Sequence, residues 1–387
     1  MTVSRETWPM VRLGDVCDRK IGKWDLGTRK KYVDISSVDS ISKKVIDARY
    51  VDPEEAPSRA RQVVQEGDVL VSTVRPNLNA VALVSSSLDG HVTSTGFCVL
   101  RPDETILNST FLFSFVQTNY FIEQCVKTAT GISYPATTAT KILDIKIPLP
   151  PLAEQRRIAE ILEKSKSGID LVNFQISKID RILRAPLFDV DDDSGTTIGN
   201  YVQSISSGKN LKPAEEENFQ RVLKVSAVTS GYFDSTESKP LPKSYSPPES
   251  HLVNRGDLLV SRANTAELVG ASVVVDRDVS SLYLPDKIWR VTPKSNANNY
   301  FLWHLLQLKP MRGRISQVST GSSGSMKNIS QSAFLSVLAP EVEETKQCEV
   351  AEIVKLLLQI RSGLQRKLAL LQQLHQTLAT RAFAGQL

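Results

Sequence analysis

The sequence predicts an α+β fold written twice: two homologous globular α/β domains separated by two long antiparallel α-helices that form a coiled coil. Three observations carry this expectation. Landmarks of the first half recur in the same order in the second, at an offset near 185 to 190 residues. Within each half, short alternating apolar runs stand between Gly and Pro punctuation, the pattern of half-buried strands. Each half then closes on a stretch of about 35 to 45 residues with apolar side chains at helical spacing.

The repeat is read first, because a missed repeat misassigns the whole fold. "RLGDV" around Gly14 is matched by "TIGNY" around Gly199. The alternating run "KYVDISSV" (31–38) is matched by "RVLKVSAV" (221–228). "EGDVLVSTVR" (66–75) is matched by "RGDLLVSRAN" (255–264): a Gly-Asp turn, an apolar strand and a polar tip. "TATGISYPATTATKILDIKIPLP" (128–150) is matched by "VSTGSSGSMKNISQSAFLSVLAP" (318–340). One apolar helix is expected in each half, over 109–126 and 298–308. The implied organisation is a first domain over 1–150, a central helix over 151–187, a second domain over 188–340 and a C-terminal helix over 341–387. A mixed domain of about 150 residues is an ordinary size.

The helices have recognisable ends. Pro148, Pro150 and Pro151 exclude helix upstream, and a proline ring suits the first helical turn. Glu154 favours the positive end of the helix that follows. Leu162, Ile169, Ile176 and Leu183 then recur every seven residues, with Ser165, Val172 and Ile179 interleaved. That 3-4 spacing is a coiled-coil seam. Pro186 and the acidic run from Asp189 to Asp193 close the helix. The C-terminal helix carries Val350, Leu357, Leu364 and Leu371 in one row and Ile353, Ile360 and Leu374 in the other, broken at Lys367. Each seam is expected to pair with the other, burying Leu162, Ile169, Val172, Ile176, Ile179 and Leu183 against Ile353, Leu357, Ile360, Leu364 and Leu371, and to offer a subunit interface.

Composition bounds the function. The 387 residues are 41% hydrophobic and 23% charged, ordinary for a globular chain. No apolar run approaches the roughly 20 residues of a membrane span, and the N-terminus lacks an apolar signal core. Cys17, Cys98, Cys125 and Cys348 are scattered, so reduced thiols and a cytoplasmic location are expected. A net charge of +5 allows a polyanionic partner without demonstrating one.

Enzyme motifs are missing. No phosphate-binding G-x-x-x-x-G-K-[ST] loop is present. Ser246-Pro247-Pro248-Glu249 resembles an amino-methyltransferase site, but Glu249 replaces the aromatic residue and no glycine-rich cofactor loop precedes it. Asp144-Ile145-Lys146 lies too far from Pro102-Asp103 for a nuclease site. His91, His251, His304 and His375 have no paired ligand spacing, so no metal and no catalytic residue are expected.

Three loops, each present in both halves, carry nucleic-acid chemistry. "DRKIGKWDLGTRKKY" (18–32) gathers Lys20, Lys23, Arg29, Lys30 and Lys31 around glycines, a loop suited to phosphate contact. Its counterpart "SISSGKNLKP" (204–213) has Lys209, Asn210 and Lys212. The strand tips offer Arg75, Asn77 and Asn79 in one half and Arg262 and Asn264 in the other. Arg bonds guanine bidentately, and Asn bonds adenine. The third pair of loops is rich in Gly, Ser and Thr and holds Ser133, Tyr134 and Lys141, or Ser322, Ser323 and Lys327. Small hydroxyl residues and exposed backbone N–H groups approach phosphates closely.

At this point a family resemblance becomes specific. A variable domain, "IPLPPLAEQRRIAEIL" (147–162), a long helix, a second variable domain and a second helix ending "LATRAFAGQL" together resemble the DNA specificity subunit of Type I restriction–modification systems, over the whole chain. The second copy of the helix start, "LAPEVEETKQCEVAEIV" (338–354), keeps Pro340, Gln347 and "AEI" but loses the double proline. The resemblance implies two target recognition domains, each reading half of an asymmetric bipartite site in double-stranded DNA. It also implies a helix pair that docks two modification subunits, which methylate adenine. S-adenosylmethionine, ATP and Mg are then expected on partner subunits and not on this chain, with a restriction subunit as an optional addition. The rival readings are a specificity subunit of a methylation-only or Type II-like system, a coiled-coil scaffold that binds no DNA, and an enzyme with a degenerate site. A helix of about 35 residues rises roughly 50 Å. Similarly oriented readers on one face of the duplex favour about one helical turn, leaving a gap of about 5 to 8 unread pairs.

Overall fold

The computed structural model describes residues 8–131, 133–190, 195–209, 219–295, 297–323 and 326–387. The chain falls into two compact units, Met1–Leu171 with Leu368–Leu387, and Val172–Lys367. Each unit holds one mixed domain and a stretch of both long helices.

In unit 1 a four-residue helix, α1 (Leu13–Val16), follows a short strand, Met10–Arg12, that pairs antiparallel with Lys146–Pro148. The proline run therefore begins inside a strand: Pro148 sits opposite Met10, and Leu149 donates its N–H to the Pro9 carbonyl at 2.9 Å. The domain's core sheet orders Phe97–Leu100, Val69–Ser72 and Val81–Leu83 side by side. A second sheet places Lys30–Val33 between Arg49–Val51 and Val92–Ser94. The alternating run at 31–38 is thus a strand only to Val33. Asp34 then accepts from the N–H groups of Ser36 and Ser37 and turns the chain into a 3-10 turn, Ile35–Ser37.

The apolar stretch expected as one helix is two, α2 (Ser109–Phe115) and α3 (Asn119–Thr128). The break has a local cause. Thr118 is extended, and its side chain accepts from Phe121 N–H as an N-cap. Helix α4 (Ala139–Leu143) is capped likewise by Thr138. Gly14 in α1 faces it so closely that a Cβ would lie 3.3 Å from the Leu143 carbonyl oxygen. The central helix, α5 (Leu152–Arg184), starts in this unit, where Ile158, Ala159 and Leu162 join one core with Phe111, Phe115 and Ala382. Ala382 belongs to the C-terminal helix, Glu344–Phe383. Arg157 donates to the Leu387 carbonyl at 3.2 Å, while Lys166 and His375 line one cavity, so within unit 1 the two helices run antiparallel.

Gln155 explains the "AEQ" of the helix start. Its side chain is fully buried, accepts from Asn108 N–H at 2.8 Å, and donates to the carbonyls of Ile106 at 2.9 Å and Pro150 at 2.8 Å. The glutamine stitches the helix entrance to the loop that starts α2.

Unit 2 repeats these devices. Helix α6 (Ile198–Tyr201) carries Gly199, where a Cβ would lie 3.1 Å from the Leu335 carbonyl oxygen of α9 (Gln331–Leu335). The apolar stretch expected over 298–308 is α7 (Asn299–Gln307), and a further helix, α8 (Lys309–Gln317), follows it directly. The run at 221–228 is a strand only to Leu223, followed by a 3-10 turn, Val225–Val228. The core sheet orders Val202–Ser207, Ile288–Pro293, Leu258–Ser261 and Ser272–Val274. Gln347, at the start of the C-terminal helix (α10), is buried and donates to the Val342 carbonyl at 2.8 Å.

The Gly-Asp turns share one chemistry. Gly67 and Gly256 stand at φ +87° and +91°, a conformation that favours glycine. The following aspartates each pair with an arginine, Asp68 with Arg101 just past the strand Phe97–Leu100 at 2.8 Å and Asp257 with Arg290 on the strand Ile288–Pro293 at 2.9 Å. Asp68 is almost fully buried, so its charge requires that partner.

One expected seam needs correction. On α5, Leu162, Ile169, Val172, Ile179 and Leu183 are buried, with Ile176 half-buried. On α10 the buried stripe in unit 2 is Val350, Val354, Leu358 and Arg361, with Leu357 and Leu364 half-buried; Leu371, in unit 1, is half-buried too. Ile353 and Ile360, expected in the seam, are 44% and 45% exposed. The reason is packing. Val350, Ala351, Val354 and Leu358 face the domain core around Phe301 and Met311, so the buried face follows the 3.6-residue period of a helix lying on a domain.

Candidate nucleic-acid interface

In unit 1 the strand Val69–Ser72 is wholly buried and delivers the chain to an exposed tip. The exit is fixed residue by residue. Thr73 donates its N–H and its hydroxyl to the Gly96 carbonyl at 2.9 and 2.8 Å. Thr137 N–H returns to the Thr73 carbonyl at 2.9 Å, and Val74 bridges Ala136. Arg75 N–H reaches the Pro135 carbonyl at 2.7 Å, with Arg75 in the left-handed region at φ +48°. The Arg75 guanidinium then lies 4.6 Å from the centroid of the Tyr134 ring. Strand tip and Gly-Ser-Thr loop, distant in sequence, are therefore one surface, on which Arg75, Asn77, Ser133 and Tyr134 are exposed. The loop closes on itself through reciprocal bonds between Thr130 and Ala136, both 2.9 Å. Gly131 is required there: it stands at φ +100°, and a Cβ would lie 3.1 Å from the Tyr134 carbonyl oxygen.

Two of the expected contacts are engaged within the fold. Asn79 is buried, donates to the Val116 carbonyl at 2.8 Å and accepts from the Lys43 amine at 3.1 Å, so it anchors the turn and does not face outward. Lys141 donates to the Thr128 carbonyl at 2.8 Å, although its side chain remains at the surface.

The basic loop splits into two groups around Trp24, which is buried against Ala60 and Val92. Lys20 and Lys23 are exposed on one side. Lys23 joins Arg19 and Arg61 around a cleft of about 510 Å³ that reaches Thr95 and Ala139, beside the strand exit. On the other side Lys30 and Lys31 stand on a strand, not in a loop. Lys30 donates to the Gly90 carbonyl at 2.6 Å. Arg29 and Lys31 lie 5.2 and 5.7 Å from the centroid of the Tyr50 ring. Arg61 and Tyr50 were not singled out from the sequence. Neither carries a motif, and only strand pairing brings them beside the basic loop.

Unit 2 builds the same tip from different residues. Ser261 is the counterpart of Ser72: each serine hydroxyl donates to the carbonyl two residues on, Ala263 at 3.3 Å and Val74 at 2.9 Å. Ala263–Asn264 pairs with Met326–Asn328, itself in a hairpin with Thr320–Ser323. In this alignment Arg262 occupies the place of Thr73, and Asn264 the place of Arg75. Arg75 and Arg262 therefore stand at different positions of the tip, and the two copies carry different residues at the equivalent one. Arg262 is half-buried, its backbone bonded to Lys287 and Ile329 at 3.0 Å each. Asn264 lies opposite Lys327, whose amine donates to the Gly321 carbonyl at 2.9 Å. A Cβ at Gly208 would overlap the Leu284 carbonyl, which fixes the strand that presents Lys209 beside the Tyr245 ring, 5.6 Å from its centroid. Asn210 and Lys212 lie outside the described residues, as do the side chains of Ser322 and Ser323.

Among the described residues no group of three His, Cys, Asp or Glu side chains could hold a metal, and no helix is long and apolar enough to cross a membrane. All four cysteines are free; Cys17, Cys98 and Cys125 are buried, and burial pushes each thiol up to about 12.

A repeated α+β domain, each copy closed by long helices and presenting a paired strand tip and small-residue loop, defines a modular two-domain class of protein. Residues 5–181 match the Type I restriction modification DNA specificity domain. The HindI specificity subunit of Haemophilus influenzae is 25% identical over 221 residues, 56% of this chain and 47% of that protein, so the match spans about half of that relative's length. The EcoKI specificity subunit of Escherichia coli is 26% identical over 322 residues, 75% of this chain and 68% of that one. A structure solved in work on complex assembly and conformational transition of the type I restriction–modification system is 25% identical, with TM-score 0.59 over 98% of both chains. The S subunit from Mycoplasma genitalium shares the fold, with TM-score 0.60 at 14% identity. By family model, sequence and fold, this chain is thus similar to Type I specificity subunits.

Proposed function

We propose that this chain reads an asymmetric bipartite site in double-stranded DNA and serves as a scaffold for two adenine-modification subunits, to which a restriction subunit can be added. In this reading residues 1–150 and 188–340 are the two target recognition domains, and 151–187 and 341–387 are the helices that space them. The chain performs no catalysis. S-adenosylmethionine, ATP and Mg belong to its partners, and the assembly works in the cytoplasm.

The observation that carries the reading is the tip made twice with different chemistry. One copy presents Arg75 stacked on Tyr134, and the other presents Asn264 opposite Lys327. An arginine suits guanine and an asparagine suits adenine in the major groove. Two copies of one scaffold with different residues at one position suit an asymmetric site. Lys23, Arg29, Lys31 and Lys209 would hold phosphates and set register without reading sequence. The exposed Ile353, Leu356 and Ile360 on α10 suit a partner's apolar surface.

The test is fluorescence anisotropy with duplex DNA at rising salt. Binding that weakens linearly on a log–log plot supports phosphate contacts. Salt-independent binding, or none in the presence of the modification subunits, refutes the reading.

A further inference from the structure

Unit 1 holds a cavity of about 810 Å³ away from the paired tip and loop. That volume lies within the range of small-molecule sites. Its walls come from the 42–48 loop, the helix α2 and both long helices. Ala48, Leu83, Leu88, Phe113, Leu162 and Ala379 give it an apolar lining. Lys43, Lys166 and His375 enter it from three different elements.

Lys43 and His375 are poorly compensated. Lys43 sits in the left-handed region at φ +59°, a strained conformation for a residue with a side chain. Its amine donates to the Asn79 carbonyl at 2.5 Å and the Asn79 side-chain oxygen at 3.1 Å, both neutral acceptors. Burial, and secondly the Lys166 ammonium, push that amine down to about 8, with Asp39 acting the other way. His375 is pushed down by burial and by the same Lys166, and its Nδ1 has no hydrogen-bond partner among the described residues. Lys166 has Asp170 at 3.6 Å. Glu163, Lys31 and Lys44 complete the charged lining. An anion between Lys43, Lys166 and His375 would replace mutual repulsion with charge-assisted hydrogen bonds.

We propose that this cavity binds a small molecule with an anionic head and an apolar body. The head is held by Lys43, Lys166 and His375, and the body lies against Phe113, Leu83 and Leu162. A bound molecule would tie the strand domain of unit 1 to both long helices. This site is separate from the base-reading tip, shares only Lys31 of its charged lining with the proposed phosphate contacts, and does not depend on that reading.

The full chain is titrated with anilinonaphthalene sulfonate, an anionic aromatic probe whose emission rises in apolar surroundings. The expected result is one saturable site per chain, insensitive to saturating duplex DNA. Affinity should fall about tenfold between pH 7 and pH 9 as the Lys43 amine loses its proton. Lys43→Met and Lys166→Met should each weaken it about tenfold or more, the loss expected for a charged hydrogen bond. Lys166 is a third exposed, so its replacement keeps the test open if Lys43→Met does not fold. Unchanged affinity in folded Lys166→Met, or equal affinity for neutral N-phenylnaphthylamine, would overturn the proposal. Displacement of the probe by DNA would overturn it too, assigning the cavity to the DNA surface.

Discussion

Arg361 of the C-terminal helix stacks on Tyr232, its guanidinium carbon 3.2 Å from the ring centroid. Both groups end on one carboxylate: Arg361 Nε donates to Asp180 at 2.6 Å, and the Tyr232 hydroxyl donates to the same oxygen at 2.6 Å. Asp180 lies on the central helix, so three side chains tie the second domain to both long helices within unit 2. Burial, and next the bond to Asp180, hold the Tyr232 phenol in its protonated form. Arg361→Ala should destabilise unit 2 by about 3 kcal/mol, because it leaves the Asp180 carboxylate with the Tyr232 hydroxyl but without its cationic partner. Arg361→Lys should recover little, since an ammonium cannot both stack and bridge. Denaturant titration of the three proteins checks this; a Lys variant as stable as the parent would contradict it.

His304 makes unit 2 sensitive to acid. The imidazole is fully buried, with its ring edge-on to Phe188 at 5.8 Å between centroids. Burial pushes it down to about 4, weakly opposed by the Leu183 backbone. Below its usual value near 6.5 the unfolded chain gains a proton that the folded chain refuses. Stability is therefore complete above that value and lost as pH falls towards 4, by about 3 kcal/mol. His304→Phe should flatten this part of the pH–stability curve. An unchanged slope would contradict the account.

Gln155 and Gln347 should differ in cost. Gln155→Leu strands Asn108 N–H and the carbonyls of Ile106 and Pro150, a loss of about 3 kcal/mol at roughly 1 kcal/mol per group. Gln347→Leu removes a single described bond, to Val342, and should cost about 1 kcal/mol. Thermal unfolding of the two variants distinguishes them, and equal costs would argue against the stitching role.

Thiol chemistry offers a check on burial. The three buried thiols stay protonated at neutral pH, whereas Cys348 is exposed. Native protein should take up one equivalent of iodoacetamide, at Cys348, by mass spectrometry. Rapid labelling of Cys17 or Cys98 would show that the core of unit 1 opens.

The sequence carried the large-scale design and lost the local geometry. Duplication, both long helices and the Gly-Asp turns were legible because each leaves a periodic or punctuated trace. The break at Thr118 and the extra helix after Leu308 were not, since an N-cap threonine leaves the apolar pattern intact and only Met311 and Ile315 of α8 are buried apolar residues. The seam of the C-terminal helix was misplaced by about one residue at Ile353 and Ile360, because the pattern shows which residues are apolar and not which surface they meet. The meeting of Arg75 with Tyr134 depends on strand pairing, which only the folded backbone fixes. Arg61, Arg101 and Arg290 become partners of the turns and the basic loop through pairing alone.

The tip exchange leads to a reading prediction. Arg75→Ala should weaken or relax recognition of one half-site only, and Asn264→Ala the other only, each by about 1–3 kcal/mol. Arg262→Ala, at the position that Thr73 holds in the first copy, should change base preference less than Asn264→Ala does. Competition binding against half-site variants measures all three. Equal effects on both halves would undo the assignment.

The most direct test of the central claim is methylome sequencing of cells that co-express this chain with its modification subunit. The account predicts modified adenines in two short blocks separated by about 5 to 8 unread pairs, with Arg75→Ala altering one block and leaving the other intact. A single continuous motif, or a motif that changes in both blocks, would contradict it.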